Sequence, residues 1–535
     1  MRILLVTGKL AAPIVREIVS KTKTKHSIDI IELPVSAIAL LSTEQIATYL
    51  KRLGIKRGDY DLVIVPGMCR GSANAIREAI GIPAVKGTIH AYDIPLILGL
   101  DNPHEELSPD KSADEIIATR KIELAREILK NLEEKVIADK QYVVSGKLLI
   151  PLKPPPFRVL AEISNAFTKE YHILTRAIER YIEYGVDAVI LGSSPHSGDP
   201  DRVRDFVKKV RKDYDIAIGI DSLNPREIAA SLSGGVDIVL SIDNCNYEKL
   251  VGVIREYDIA VVAIPYDSCR GELLGSPHER ISYLEKLIKT LREQGVEKVI
   301  GDIVLEIPVV GRFLESVYAY RVFREKNPDT PLLMGLGNVY ELVDADSIGI
   351  NMLLVLLALD AGVSLLLGVE ESAKAWGAVK EIVIASQMTS IAHTRSSPPK
   401  DLGLDLLVVK DKRRYETLLE KPDRVVDVKG YGFRADHIDR AGVFKIRVNR
   451  EEGLVEALHI GPRGKTLVKS PNIDDIMGYI ADHGMVTDIK HALYLGRELA
   501  KASEALVLGK NYIQEKPLFT SKKPLCIEKT VVEER

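Results

Sequence analysis

The sequence predicts an α/β protein whose centre is a (β/α)₈ barrel, with a doubly wound α/β domain before it and a small α+β domain after it. Three observations carry this expectation. Eight short apolar runs of strand character recur between residues 157 and 400, each followed by a helical stretch. Eight such units in roughly 230 residues is the size of a closed barrel of parallel strands. Ahead of them, residues 1–145 alternate strand and helix, the pattern of a parallel sheet covered on both faces. Behind them, after Ser396-Ser397-Pro398-Pro399, the alternation stops, and residues 401–535 read as antiparallel strands followed by a helix.

In the first domain, MRILLVTG is a buried strand, Pro13 to Ser20 a helix and Ser27 to Leu33 a second strand. A third strand, Asp61 to Pro66, leads into Gly67-Met68-Cys69-Arg70-Gly71. Ligands on such sheets sit at the carboxyl ends of the strands, so the Gly67–Ser72 loop is expected to face a cleft, holding a second substrate over the barrel mouth. A turn that only reverses the chain is the alternative. A long charged helix ends near Asp139, and Lys147 to Pro156, with three consecutive prolines, is read as a linker.

The barrel strands are expected near Arg158–Glu162, Ala188–Gly192, Ile216–Ile220, Ile238–Ile242, Ala260–Ile264, Lys298–Asp302, Leu332–Gly335 and Ser364–Leu367. In the last domain Val425 to His459 reads as antiparallel strands with a hairpin at Glu451-Glu452-Gly453, and Asp488 to Leu506 as a helix carrying His491.

A chain of 535 residues is long enough for two or three domains. Its net charge of -3 lacks the basic excess that nucleic-acid binding needs. The apolar stretch Ile350 to Val369 contains Asn351, Asp360 and two glycines, so a helix leading into a strand explains it better than a membrane span. The N-terminus reads as a strand, not as a signal peptide. Cys69, Cys245, Cys269 and Cys526 show neither a CxxC pair nor metal-ligand spacing, which suits a reducing cytoplasm, and no metal is expected from them. Abundant Lys, Glu and Arg with few Gln suggest a thermophile.

The strand ends of the barrel carry the chemistry. Glu162 and Asn165 follow the first strand, Asp221 and Ser222 the third, Asp243 and Asn244 the fourth, Asp302 the sixth and Asn338 the seventh. A barrel gathers these ends at one mouth. Carboxylates and amides suit a flat polar heterocycle: a carboxylate accepts two parallel hydrogen bonds from an amino group and an adjacent ring N–H. Each one taken singly also fits a helix cap.

Gly219-Ile220-Asp221-Ser222, Gly235-Val236-Asp237-Ile238-Val239, Gly185-Val186-Asp187-Ala188-Val189 and Gly301-Asp302 resemble strand motifs of dihydropteroate synthases. Ala161-Glu162-Ile163-Ser164-Asn165, Asp221-Ser222-Leu223-Asn224-Pro225 and Gly335-Leu336-Gly337-Asn338, with Asn351 downstream, resemble those of methyltetrahydrofolate:corrinoid methyltransferases. Both belong to one pterin-binding superfamily of TIM barrels, and over its full length the chain looks like the archaeal dihydropteroate synthase-related proteins.

That resemblance implies a pterin bound by Glu162, Asn165, Asp221, Asn244, Asp302 and Asn338, with Asp221, Asp302 and Asn338 serving catalysis. It implies condensation of a dihydropterin hydroxymethyl pyrophosphate with an arylamine, with Mg²⁺, in folate or methanopterin biosynthesis. The alternatives are methyl transfer from a reduced methylpterin to a corrinoid or thiol, and a non-catalytic pterin carrier. The partners implied are the pterin and a second small molecule, with a homodimer allowed, and neither nucleic acid nor membrane. The chain departs from the synthases in having Asn338-Val339 where they have lysine, and Leu367 and Val369 where they have arginine and histidine. Its first loop, Ala166–Glu170, is also shorter. Arg270, His393 and Arg395 are the candidates to replace those anion-binding groups. Arg270 belongs to Cys269-Arg270-Gly271, which repeats Cys69-Arg70-Gly71.

Overall fold

The structure, a computed structural model, describes residues 1–193, 199–412, 422–429 and 438–519. It forms two units, Met1–Asp411 and Lys412–Arg535, each described here by itself.

In the larger unit, eight strands alternate with helices from Arg158 to Arg395. The strands are Arg158–Ile163, Ala188–Gly192, Ala217–Asp221, Ile238–Ile242, Ala260–Ala263, Val299–Gly301, Leu333–Gly335 and Leu365–Val369. All pair in parallel, in the spatial order sixth, fifth, fourth, third, second, first, eighth, seventh. A parallel bridge between Gly301 and Leu332, with Gly301 N–H donating to the Pro331 carbonyl at 2.9 Å, joins the sixth to the seventh and closes the barrel.

Successive residues of a strand face opposite sides. One set, including Leu160, Ala188, Ile190, Ala217, Leu240, Val262, Ile300, Leu333 and Leu365, fills the barrel. The other, including Val159, Ala161, Val189, Ile218, Val261 and Leu366, packs under the surrounding helices. The apolar stretch from Ile350 becomes the helix Ser347–Ala361 and the eighth strand, as its composition predicts. Among the described residues no helix is long and apolar enough to cross a membrane.

The expected linker at 147–156 is partly structured. Tyr142–Ser145 and Leu148–Pro151 form an antiparallel hairpin, and only after Pro151 do the prolines stop regular structure. Leu148 and Ile150 join the barrel interior. Ser145 Oγ accepts from Ala260 N–H (2.6 Å) at the start of the fifth strand, and Ser364 Oγ donates to the Pro151 carbonyl (2.6 Å), so the hairpin plugs the end opposite the active mouth.

The N-terminal region holds four parallel strands, Arg2–Gly8, Ser27–Leu33, Leu62–Val65 and Ala84–Lys86, ordered second, first, third, fourth, with an apolar core on each face. Its long helix, Ala118–Ala138, packs through Ala125 on Met388, Ile391 and Ala392 of the last barrel helix, Ala378–Arg395. Buried Asp93 receives Arg395 (2.8 Å) and Lys121 (2.6 Å). Arg395 ends a helix that starts at the mouth, so this junction lies at the far end of the barrel, and the expected position of the first domain over the mouth is not met.

In the smaller unit, Val443–Asn449, Leu454–Gly461 and Gly464–Ser470 form an antiparallel sheet backed by helices Ile473–Asp482 and Ile489–Val507. Val425–Lys429, expected as strand, has none, and the rest of that stretch to 437 lies outside the described residues, as does Cys526. His491 is held in place: its Nδ1 pairs with the buried Asp439 carboxylate at 3.0 Å.

Candidate active site at the barrel mouth

Three carboxyl groups extend the inward faces of the strands. Glu162 lies two residues beyond Leu160, Asp221 four beyond Ala217, and Asp302 two beyond Ile300, so the period of two aims all three into the mouth. Each is half-buried, and burial raises its affinity for protons, with the neighbouring Asp221 charge adding for Glu162 and Asp302. Burial comes first for Glu162, followed by the Asp221 and Glu371 charges. Burial pushes Asp221 up against a hydrogen bond from Ser241. Asp302 is pushed up to about 6, by burial first and with the Asp221 charge adding, against hydrogen bonds from Tyr320 and the Val304 N–H. Three acids at one mouth with raised pKa values mark a site able to hold and give protons.

The backbone is strained where it holds these groups. The register between the fourth and fifth strands slips between Val239 and Ile242, and Ser241 stands at φ 70°. That bulge turns the Ser241 hydroxyl onto Asp221 Oδ1 at 2.7 Å. After the sixth strand Val304 stands at φ 67°, a left-handed conformation that a β-branched side chain resists, and its N–H donates to Asp302 Oδ1 at 2.7 Å. Tyr320, fully buried on the next helix, donates to the same oxygen. Strain of this kind costs about 1–3 kcal/mol per residue and clusters at functional sites. Ser241, Val304, Tyr320 and Glu371 escaped the sequence reading; a bulge and a left-handed valine leave no periodic trace.

The expected amides fare differently. Asn165 is exposed, and its left-handed backbone (φ 52°) serves the turn in which its carbonyl accepts from Thr168. Asn244 is also exposed: the slip at Ser241 inverts the alternation, so it leaves the inward face. Buried Asn246 instead holds that loop, donating to the Ser241 carbonyl at 3.0 Å. Asn338 is exposed and donates to the Leu305 carbonyl (3.0 Å), tying the seventh loop to the sixth. It lines a cavity of about 430 Å³ with Leu273, Leu305, Ile307 and the Arg280–Glu306 ion pair. The structure thus unites Glu162, Asp221 and Asp302 but leaves Asn165, Asn244 and Asn338 at the rim.

The proposed anion-binding groups stand at different ends of the barrel. Arg270 is exposed and faces Asp267 and Glu272, each at 3.6 Å. Arg395 is bound to Asp93, and His393 lines a cavity with Lys153 and Pro154 at the plugged end, where the last helix finishes. The repeated Cys-Arg-Gly is a repeated turn: Gly71 (φ 86°) and Gly271 (φ 71°) both adopt the left-handed conformation that glycine permits. In the Gly67–Ser72 loop, Arg70 N–H donates to the Leu41 carbonyl and the Arg70 carbonyl accepts from Thr43 N–H. A cavity of about 180 Å³ opens where that loop begins, at the carboxyl ends of the first, third and fourth strands, beside Gly8, Pro66, Gly87 and Thr88.

Cys245 and Cys269, 24 residues apart in sequence, are joined as a disulfide with a Cα separation of 5.8 Å. They sit in the loops after the fourth and fifth strands, a proximity that spacing along the chain did not reveal. Cys69 is buried, and burial pushes its thiol up to about 11.

The chain is 33% identical over 534 residues to Uncharacterized protein MJ0107 of Methanocaldococcus jannaschii, covering 97% of this chain and 99% of that one. Residues 438–515 match the family model PterinBD-DUF4346, and residues 1–89 match DUF6513, a family of unknown function. Among solved structures, a Yersinia pestis dihydropteroate synthase with a pterin–sulfa conjugate aligns with 48% of this chain and all of its own, at 15% identity and TM-score 0.38. The Vibrio fischeri 7,8-dihydropteroate synthase aligns with 48% of this chain and 99% of its own, at 16% identity and TM-score 0.38. These superpositions are loose, and the barrel rests on its own strand pairing.

Proposed function

We propose, from the premise that this chain belongs to the same full-length family as the Methanocaldococcus jannaschii protein, that the barrel mouth binds a pterin and that the protein is a pterin-handling transferase. The observation that carries this reading is the convergence of Glu162, Asp221 and Asp302, each with raised proton affinity. A pterin presents an amino group beside a ring N–H, and one ionised carboxylate accepts both. Asp302, fixed by Tyr320 and Val304, is assigned that task. Asp221, pinned by Ser241, faces positive charge that develops on the ring. Glu162, whose pKa is raised by burial and by the Asp221 charge, is the proton donor.

Two reactions use such a site. Condensation with an arylamine breaks a C–O bond and expels pyrophosphate, which needs cations, with Mg²⁺ as one source. Arg395 is bound to buried Asp93, and His393 stands with it at the plugged end, away from the mouth. Methyl transfer from a pterin nitrogen to a corrinoid or thiol needs a proton on the departing nitrogen, and Glu162 can supply it. Methyl transfer is therefore our first reading and condensation the second. In the first, Asn338 would act at the rim, not on the ring.

Single-turnover assays with a methyl-tetrahydropterin and a thiol or cob(I)alamin, and with a dihydropterin hydroxymethyl pyrophosphate, an arylamine and Mg²⁺, decide between them. Methyl transfer predicts turnover with the first pair and a kcat loss of about 10²–10⁴-fold in Glu162→Gln. Turnover only with the second pair establishes condensation. Binding without turnover of either establishes a carrier.

A further inference from the structure

Beside the carboxyl cluster lies a second group of side chains. The Sγ atoms of Cys245 and Cys269 and a carboxylate oxygen of Asp267 lie within 4.8 Å of one another. Their loops are fixed from below. Asp243, fully buried, accepts the backbone N–H groups of Cys245 and Asn246 through Oδ1, each at 2.8 Å, and that of Ser268 through Oδ2 at 3.1 Å. Asp267 Oδ1 accepts the N–H groups of Cys269 (3.0 Å) and Arg270 (3.2 Å). One buried carboxylate thus holds both cysteine loops in place whether or not the sulfurs are bonded.

We propose that Cys245, Cys269 and Asp267 form, in the reduced protein, a binding site for a soft divalent cation of the zinc class. Two thiolates and a carboxylate match the ligand preferences of such an ion. Two sulfurs on one tetrahedral zinc stand roughly 3.7 Å apart, given Zn–S bonds of about 2.3 Å. That spacing is compatible with a Cα separation of 5.8 Å. A disulfide needs only the two cysteines, whereas the ion also uses the carboxylate beside them. Cys269 is exposed, so an ion can enter, and three protein ligands leave a fourth position for water or an external thiol. Arg270, whose side chain is 72% exposed, stands 3.6 Å from Asp267 and can swing away as the ion arrives. In the balance, a dithiol or phosphine gives two electrons to the S–S bond, two protons complete the thiols, and the cation releases those two protons on binding.

The test uses the full chain, reduced with a phosphine and titrated with Co²⁺ as the spectroscopic probe for zinc, in the absence of pterin. Its failure would therefore leave the pterin reading untouched. The expected result is one Co²⁺ per chain with a thiolate-to-cobalt charge-transfer band, displaced by Zn²⁺ and unchanged in Cys526→Ser. Cys245→Ser and Cys269→Ser should weaken or abolish the band. Asp267→Asn, which keeps both sulfurs, should retain it with affinity lowered roughly tenfold or more. Any of three results would overturn the proposal: a sulfur pair that the phosphine does not open, two free thiols that take up no Co²⁺, or an affinity that Asp267→Asn leaves unchanged.

Discussion

Replacing Asp302 by Asn should stabilise the barrel at neutral pH while weakening its ligand site. The Asp302 carboxyl titrates near 6 in the folded protein, against an ordinary value of 3.8. Below the ordinary value both states carry the proton. Between the two values the folded state keeps a proton that the unfolded chain has lost, so raising the pH favours unfolding. Above pH 6 the penalty is constant, and a gap of about two pKa units corresponds to about 3 kcal/mol. Asparagine has the same shape, and its Oδ1 can accept from Tyr320 and Val304 as the carboxylate does, so no buried donor is orphaned. The stability of Asp302→Asn relative to the parent should therefore be near zero at pH 4 and rise to as much as about 3 kcal/mol by pH 7. Urea unfolding from pH 4 to 8, followed by fluorescence of the only tryptophan, Trp376, reads this in the barrel itself. A difference that does not vary with pH, or a variant less stable than the parent at pH 7, would refute the reasoning.

Other substitutions probe the neighbours of that carboxyl. Tyr320→Phe removes a hydrogen bond that lowers the Asp302 pKa, so ¹³C NMR of labelled aspartate should show Asp302 titrating above 6. Titration at or below 6 would dismiss the tyrosine as the counterweight to burial. A methyl group on Gly192 would stand 2.5 Å from Glu162 Oε1, the free end of a flexible side chain, and 3.2 Å from the Ile163 carbonyl oxygen. Gly192→Ala should therefore displace the proposed acid and lower kcat more than it raises KM. Equal loss in stability and in kcat would point to misfolding instead.

The barrel was legible because eight apolar runs of buried strand recur, each followed by a helical stretch, and the structure moves their ends by no more than a few residues. The three carboxyl groups were legible for the same reason, since each continues an inward alternation already marked by Leu160, Ala217 and Ile300. Asn244 misled because a bulge at Ser241 reverses that alternation, and nothing in Leu240-Ser241-Ile242 announces it. Arg395 misled because helix direction, not distance along the chain, decides which end of the barrel a residue reaches; the end of the last helix is the plugged end, where Asp93 waits. The hairpin of 142–151 was hidden by the prolines beside it, and the meeting of Cys245 with Cys269 depends on the adjacency of the fourth and fifth strands, a tertiary fact.

The central claim, that Glu162, Asp221 and Asp302 form a pterin site, is tested most directly by calorimetric titration of the full chain with a tetrahydropterin at pH 7, beside Asp302→Asn. The account predicts one site per chain in the parent and an affinity lower by roughly 10–150-fold in the variant, the equivalent of one charge-assisted hydrogen bond of about 1.5–3 kcal/mol. A parent that binds no pterin, or a variant that binds it equally well, would contradict it.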